Sequence, residues 1–312
     1  MRIAVLGAGA MGSLFGGILA EAGHEVWLVD VWKEHVDAIR QRGLRITGLS
    51  GDRVIRRVQA VGSAKEVGGA ELVLVFVKST VTEEAVRGAV SLFEGHTLAL
   101  TLQNGLGNVE RIGSVIGFEN ILAGITAQGA TVVGPGEIFH AGQGLTAVGE
   151  LKGPVTLRAE RVAALFNEAG IQAQVSDNVM GLIWGKLLVN VGINALTALT
   201  GLRNGQLLDH PETMEVMEMA VLEATQVAVA KGIRLPYEDP VSHTMEVARA
   251  TSGNRSSMLQ DVSNRRKTEI EMINGAVVRE AEELGIQTPV NRVLTDLVRT
   301  LERNYAQIPS GP

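Results

Sequence analysis

The N-terminal stretch RIAVLGAGAMGSLFGGILAEAG admits few folds. Residues 2 to 6 read as a buried strand, and Gly7, Gly9 and Gly12 follow in the spacing G-x-G-x-x-G before a small-residue helix that runs to Ala22. The first glycine permits a tight turn out of the strand, the second lets backbone approach a pyrophosphate, and the third lets helix and strand pack closely. Around Ala10 and Met11 the amides of the helix start are then placed to receive phosphates. A chain with 37 glycines produces such a pattern by chance, and the bland reading is a packed turn. Its position between a strand and a helix is what favours dinucleotide binding.

The second strand, HEVWLVD, ends in Asp30, eighteen residues beyond Gly12. A carboxylate there can accept hydrogen bonds from both hydroxyls of an adenosine ribose, whereas a 2′-phosphate would meet like charge, so NADH is favoured locally. Lys33 lies close enough in sequence to turn toward a phosphate. Trp32 has two readings: cover over the adenine, or packing against its own domain. Further on, ELVLVFVK and TLALTLQNG continue the alternation of apolar strands with helical segments, the signature of a parallel sheet covered on both faces. Lys78 and Asn104 stand just past the ends of those strands, where ligands of such sheets collect; a solvated strand end and an Asn-Gly turn are the structural alternatives. Between Leu44 and Ala60, LRITG and RVIRRVQA suggest an inserted hairpin, and IQAQVSD reads as the last strand of this half. Helical periodicities then dominate in 179–200, 212–231, 240–250 and 264–301, and the tail QIPSGP looks disordered. The expected class is α/β, with a dinucleotide-binding domain over 1–176 and an all-helical domain over 177–312.

Charge and cysteine usage narrow the function classes. Twenty-eight basic and 34 acidic residues are interspersed, so no field gathers a polyanion and nucleic acid is not an expected partner. Cysteine is absent, which rules out disulfides, thiolate metal sites and a cysteine nucleophile; no metal site is expected. No secretory signal pattern precedes the first strand, which points to a cytoplasmic location.

The run from Val179 to Leu199 is apolar enough to be taken for a membrane span, yet it carries Lys186, Asn190 and Asn194 at four-residue spacing. Steps of four residues displace side chains by about 40° each, so the three form one stripe on one side of a helix. A charged group at mid-membrane costs roughly 3 kcal/mol or more, and no membrane partner is expected. Buried instead in protein, a lysine loses solvation, its pKa falls and it becomes a competent proton donor near neutral pH. A structural glutamate partner and asparagines that merely link helices are the alternatives. In GNRSSMLQDVSNRRKTEIEMING, Ser256 or Ser257 can cap a helix starting at Met258, and periodicity does not choose between Glu269 and Glu271.

Taken together, these segments resemble the ketopantoate reductase (2-dehydropantoate 2-reductase) family. The resemblance runs through GAGAMGSLFGGILAEAGHEV, Lys78, QNGLGN, WGKLLVNVGINALTAL, NGQLL, NRSSMLQD and TEIEMINGAVV, in order and over nearly the whole chain. It implies a Rossmann-type domain followed by a helical domain, with the active site in the cleft between, and NADPH delivering hydride to the C2 ketone of ketopantoate. By motif match it implies that Lys186 is the catalytic acid and Glu269 the glutamate that positions it. Asn190, Asn194 and Asn204 would hold substrate, Ser257 its carboxylate, and Lys78 and Asn104 would stand on the cofactor side. NADPH-dependent members commonly carry a basic residue where this chain has Asp30. An NAD-dependent D-2-hydroxyacid dehydrogenase of the D-mandelate type, acting on another small 2-keto acid, is therefore the alternative, and a non-catalytic dinucleotide sensor a remoter one. A homodimer through an apolar helical face is compatible with the second half.

Overall fold

A computed structural model describes residues 1–305; the tail QIPSGP lies outside the described residues. The chain forms two compact units. The first comprises Met1–Gln103 and Asn108–Val179, and the second comprises Asn104–Gly107 and the residues from Met180 on.

In the first unit the strands are β1 (Arg2–Leu6), β2 (Glu25–Val29), β3 (Leu44–Gly48), β4 (Arg53–Ile55), β5 (Gln59–Val61), β6 (Leu72–Val75), β7 (Leu98–Thr101), β8 (Ile121–Thr126), β9 (Gly129–Gly134), β10 (Glu137–Gly142), β11 (Thr146–Glu150) and β12 (Ala173–Val175). The helices are α1 (Ala10–Glu21), α2 (Lys33–Arg42), α3 (Thr82–Gly88), α4 (Asn108–Ile116) and α5 (Leu157–Glu168). Eight strands make one sheet in the order β12-β11-β8-β7-β6-β1-β2-β5, parallel except for the antiparallel pair β8 and β11. The strand order reverses beside β1, whose carboxyl end is thus the crevice where open α/β sheets bind ligands.

Central strands are apolar without alternation because both faces are covered. Ile3 and Val5 share one core with Phe15, Leu28 and Phe166, while Ala4 and Leu6 face another that holds Val73 and Val75. Phe15, fully buried on α1, lies 5.1 Å from the Phe76 ring and 5.4 Å from that of Phe166, at tilted and edge-on angles.

The insertion is larger than the hairpin expected between Leu44 and Ala60. Strands β3 and β4 do pair antiparallel, but RVIRRVQA divides at its exposed arginines. Arg53–Ile55 stays in a four-stranded sheet, β4-β3-β10-β9, whereas Gln59–Val61 crosses to pair with β2 at the edge of the main sheet. Alternation registers a half-buried strand and carries no information about which sheet receives it.

The second unit is helical: α6 (Val179–Thr200), α7 (Pro211–Ala230), α8 (Pro240–Ala250), α9 (Ser257–Ser263), α10 (Asn274–Leu284) and α11 (Pro289–Arg303). Among the described residues α6 alone is long and apolar enough to cross a membrane, and two thirds of its apolar window is buried inside protein. Trp184, Leu187, Leu188, Val191 and Ala195 of α6 form the core with Met217, Ala220 and Val277.

Phe15→Ala removes a ring packed between two others, and unfolding free energy should fall by about 3–5 kcal/mol. Urea denaturation measures it; a loss under about 1 kcal/mol would mean the aromatic cluster is not what holds α1 to the sheet.

Candidate active site

The glycine loop follows from sterics. Gly7 adopts φ +98°, and a Cβ there would stand 2.5 Å from the Val77 amide nitrogen; at Gly12 it would stand 1.9 Å from the Gly7 carbonyl oxygen. A Cβ at Gly9 would meet nothing within 4 Å, so the backbone there faces open space. Gly9 is also the N-cap of α1 and brings no side-chain bond, so no cap side chain competes for the first amides of α1, at the partly exposed Ala10 and Met11. These features fit a dinucleotide pyrophosphate.

Asp30, one residue past β2, holds this loop as well as facing it. Its Oδ2 accepts from the Ala8 N–H at 2.7 Å and its Oδ1 from the Trp32 N–H at 2.9 Å. The other side of the Ala8 residue is fixed by side chains that sequence reasoning missed. Ser13 Oγ donates to the Ala8 carbonyl at 2.7 Å, and His35 Nε2 lies 3.2 Å from that Oγ. The Gly136 N–H donates to His35 Nδ1 at 3.0 Å, which puts the ring proton on Nε2 and makes it the donor to Ser13. Both side chains are fully buried; burial pushes the His35 pKa down, with the Asp30 charge pulling partly back. Trp32 stacks on His35 with centroids 4.8 Å apart, so it packs against its own unit. A histidine in EHVDAI gave no sequence signal because its partners lie 22 and 101 residues away.

Lys78 is exposed beyond β6. The strand ends beside it are joined by Gln103, whose Nε2 donates to the Val77 carbonyl at 2.6 Å and to Thr82 Oγ1 at 2.9 Å. Gln103 was passed over; a polar residue closing an apolar strand was the signal.

In the second unit, Lys186, Asn190 and Asn194 lie along one side of α6, with Lys186 and Asn190 partly buried and Asn194 buried. Loss of water pushes the Lys186 ammonium down to about 8, and the Glu269 carboxylate pulls in the other direction. Glu269 is buried, just before the 3-10 turn Ile270–Met272. Glu271 is instead taken by Arg299, at 2.6 and 2.7 Å, which holds its carboxyl below the usual range. Geometry thus separates two glutamates that periodicity left equivalent.

One turn past Asn194, the Thr197 hydroxyl meets Ser256 Oγ at 2.7 Å. Ser256 Oγ also accepts from the Leu259 N–H at 3.0 Å, so Ser256 is the cap of α9, and Ser257 is its exposed first residue. Asn204 is buried; its Nδ2 donates to Thr251 Oγ1 at 2.9 Å and its N–H to the Asn254 carbonyl at 3.0 Å. Among the described residues its Oδ1 has no hydrogen-bond partner, an arrangement that costs free energy until a ligand or water supplies a donor. Thr251 and Asn254 were also not singled out from the sequence. The loop Asn104–Gly107 packs in this unit: the Leu106 N–H donates to the Met272 carbonyl at 2.9 Å, and Gly105, at φ +80°, approaches that oxygen so closely that a Cβ would stand 2.3 Å from it. Asn104 is thereby attached to the segment that carries Glu269.

The first unit carries a loop whose geometry fits a dinucleotide and the second a desolvated lysine, the equipment of a nicotinamide-dependent oxidoreductase. The chain belongs to the ketopantoate reductase family: residues 3–153 match the model "Ketopantoate reductase PanE/ApbA" and residues 178–302 match "Ketopantoate reductase PanE/ApbA C terminal". It is 39% identical to the 2-dehydropantoate 2-reductase of Halobacterium salinarum, over 97% of this chain and all of that one. With that of Archaeoglobus fulgidus it shares 36% over 96% of this chain and 98% of the relative. A PanE/ApbA family ketopantoate reductase from Ralstonia eutropha JMP134 superposes with TM-score 0.91 at 37% identity, covering 98% of this chain and 100% of the other. D-mandelate dehydrogenase in complex with NADH and anilino(oxo)acetate also reaches 0.91, at 31% identity and coverages of 98% and 99%.

His35→Phe keeps an aromatic ring but strands the Gly136 N–H and removes the donor to Ser13, so stability should fall by about 1–3 kcal/mol. An unchanged denaturation midpoint would show that the Ala8 loop does not depend on this relay.

Proposed function

We propose that this chain catalyses the 2-dehydropantoate 2-reductase reaction, reduction of the C2 ketone of ketopantoate to pantoate. The observation that carries the reading is the Lys186 ammonium, desolvated on an apolar helix and opposed by Glu269. The bound nicotinamide cofactor supplies the hydride. As negative charge grows on the ketone oxygen, an ammonium already in place stabilises the transition state more than the ground state and then gives its proton to the alkoxide. Glu269 keeps Lys186 charged against the cost of burial. Asn190, Asn194 and the unpartnered Oδ1 of Asn204 orient substrate oxygens and hydroxyls without titrating, and the exposed Ser257 hydroxyl takes the carboxylate. Gly7, Gly9, Ala10, Met11, Gly12 and Asp30 hold the dinucleotide, with Lys78 and Asn104 on the cofactor side.

Cofactor preference follows from the end of β2. Asp30 presents a carboxylate, and Val31, 94% exposed, presents no cation to a 2′-phosphate; Lys33 is the nearest basic residue in sequence. NADH is the preferred donor in this reading, although NADPH serves the ketopantoate reductases that the resemblance brings in. The same feature supports a second reading, an NAD-dependent D-2-hydroxyacid dehydrogenase of the D-mandelate type, in line with the likeness to a dehydrogenase solved with NADH. A panel of 2-keto acids with each cofactor separates the two. Ketopantoate should have the highest kcat/KM, and a preference for aromatic 2-keto acids would replace the first reading by the second.

Reduction needs the ammonium and oxidation needs the amine. kcat/KM for reduction should therefore fall above an apparent pKa near 8, while that for hydroxy acid oxidation should rise through the same region. Lys186→Ala should lose a factor of about 10² or more and with it both limbs. Full turnover in that variant would remove Lys186 from the mechanism. Asp30→Ala should weaken binding of both cofactors, because Ala8 and Trp32 lose their acceptor, yet move the NADPH to NADH ratio toward NADPH. A constant ratio would show that Asp30 does not read the ribose.

A further inference from the structure

The segment Arg266–Met272 that carries Glu269 has little regular structure to hold it. Helix α9 ends before it in a turn closed by Arg265 N–H to the Val262 carbonyl and Arg266 N–H to that of Asp261, with Arg265 in left-handed backbone at φ +52°, a conformation costly for a residue with a Cβ. Beyond it, the 3-10 turn begins only at Ile270. What fixes the stretch between is α11. Glu302 Oε1 accepts both the N–H of the buried Thr268, at 2.7 Å, and its Oγ1–H, at 2.6 Å. Thr268 Oγ1 in turn accepts the Ile270 N–H at 3.2 Å. Three residues before Glu302, Arg299 grips Glu271 with two bonds; three residues after it, the Tyr305 hydroxyl donates to the Arg266 carbonyl at 3.0 Å. Arg299 and Glu302 lie on one face of α11 and Tyr305 just beyond its last turn, so together they grip the segment at 266, 268 and 271, on both sides of Glu269.

We propose that this face of α11, with Tyr305 just beyond it, is the positioning element for Glu269 and Glu302 its central positioning residue, so that it sets how closely the carboxylate approaches Lys186. The proposal rests on the reading of Lys186 and Glu269 as a proton-donor pair. Glu302 acts through Thr268 and has no role in touching substrate. The role is geometric, since one oxygen accepts two hydrogen bonds, and an amide oxygen can do the same.

The experiment compares Glu302→Ala, Glu302→Gln and Glu269→Gln in the full-length protein, measuring the pH dependence of ketopantoate reduction and the Kd for NADH by fluorescence titration. Glu302→Ala should lower kcat about ten- to hundredfold, as small displacements of catalytic groups do, with the NADH Kd unchanged. Its high-pH limb should move to lower pH, because Lys186 loses the carboxylate that raises its pKa. Glu302→Gln should stay within about threefold of the parent in kcat and keep the limb in place, since both bonds to Thr268 remain. Should Glu302→Ala fail to fold, Thr268→Val, which keeps the N–H and loses the hydroxyl, takes its place with the same expected direction. A folded Glu302→Ala or Thr268→Val with parental kcat and limb overturns the proposal, and so does a Glu302→Gln as impaired as the alanine variant. Glu269→Gln with parental kcat and limb would instead remove the reading of Glu269, and with it the purpose of the clamp.

Discussion

An ammonium placed on an apolar helix is the constraint from which the second unit takes its arrangement. Lys186 cannot remain charged among the side chains of α6 without a compensating carboxylate, and the carboxylate must come from a distant segment because α6 has none of its own. Glu269 meets that need while being buried itself. The grips of α11 on residues 268 and 271, that of Tyr305 just beyond it on residue 266, and the hydrogen bond from the 104–107 loop to Met272 converge on that segment. Burial lowers the Lys186 pKa to about 8, and the Glu269 carboxylate holds it from falling further.

The first unit solves a different problem. Phosphates are met by backbone, and backbone amides are useful only if the loop bearing them does not rearrange. Ala8 is held from both sides, by Asp30 at its N–H and by the Ser13–His35 pair at its carbonyl. His35 in turn takes its tautomer from the Gly136 amide, between β9 and β10 of the small sheet. The inserted sheet thereby contributes to the rigidity of a loop at the carboxyl end of β1.

Much of the fold was legible because its signals are local. A strand, three glycines and a helix, then a strand ending in a carboxylate, fix a βαβ unit within thirty residues, and unalternating apolar runs announce a doubly covered sheet. RVIRRVQA misled because its period is correct and its destination is not written in it: two exposed arginines let the chain leave one sheet for another. The candidate site stood out in part. Lys186, Asn190 and Asn194 stood out because polar groups on an apolar helix demand an explanation. Ser13, His35, Gln103 and Thr251 did not, since each is an ordinary residue whose role comes from a partner elsewhere in the chain.

By itself the sequence determined periodicity, the glycine loop and the polar stripe, which are properties of neighbouring residues along the backbone. Only the tertiary structure decided that Glu269 opposes Lys186 while Glu271 is bound by Arg299, that Ser256 caps α9 and Ser257 begins it, and that Asp30 braces the loop it faces. The reason is physical. Desolvation and hydrogen-bond pairing depend on which distant groups exclude water from a side chain or satisfy it, and that is fixed when the helices and sheets pack.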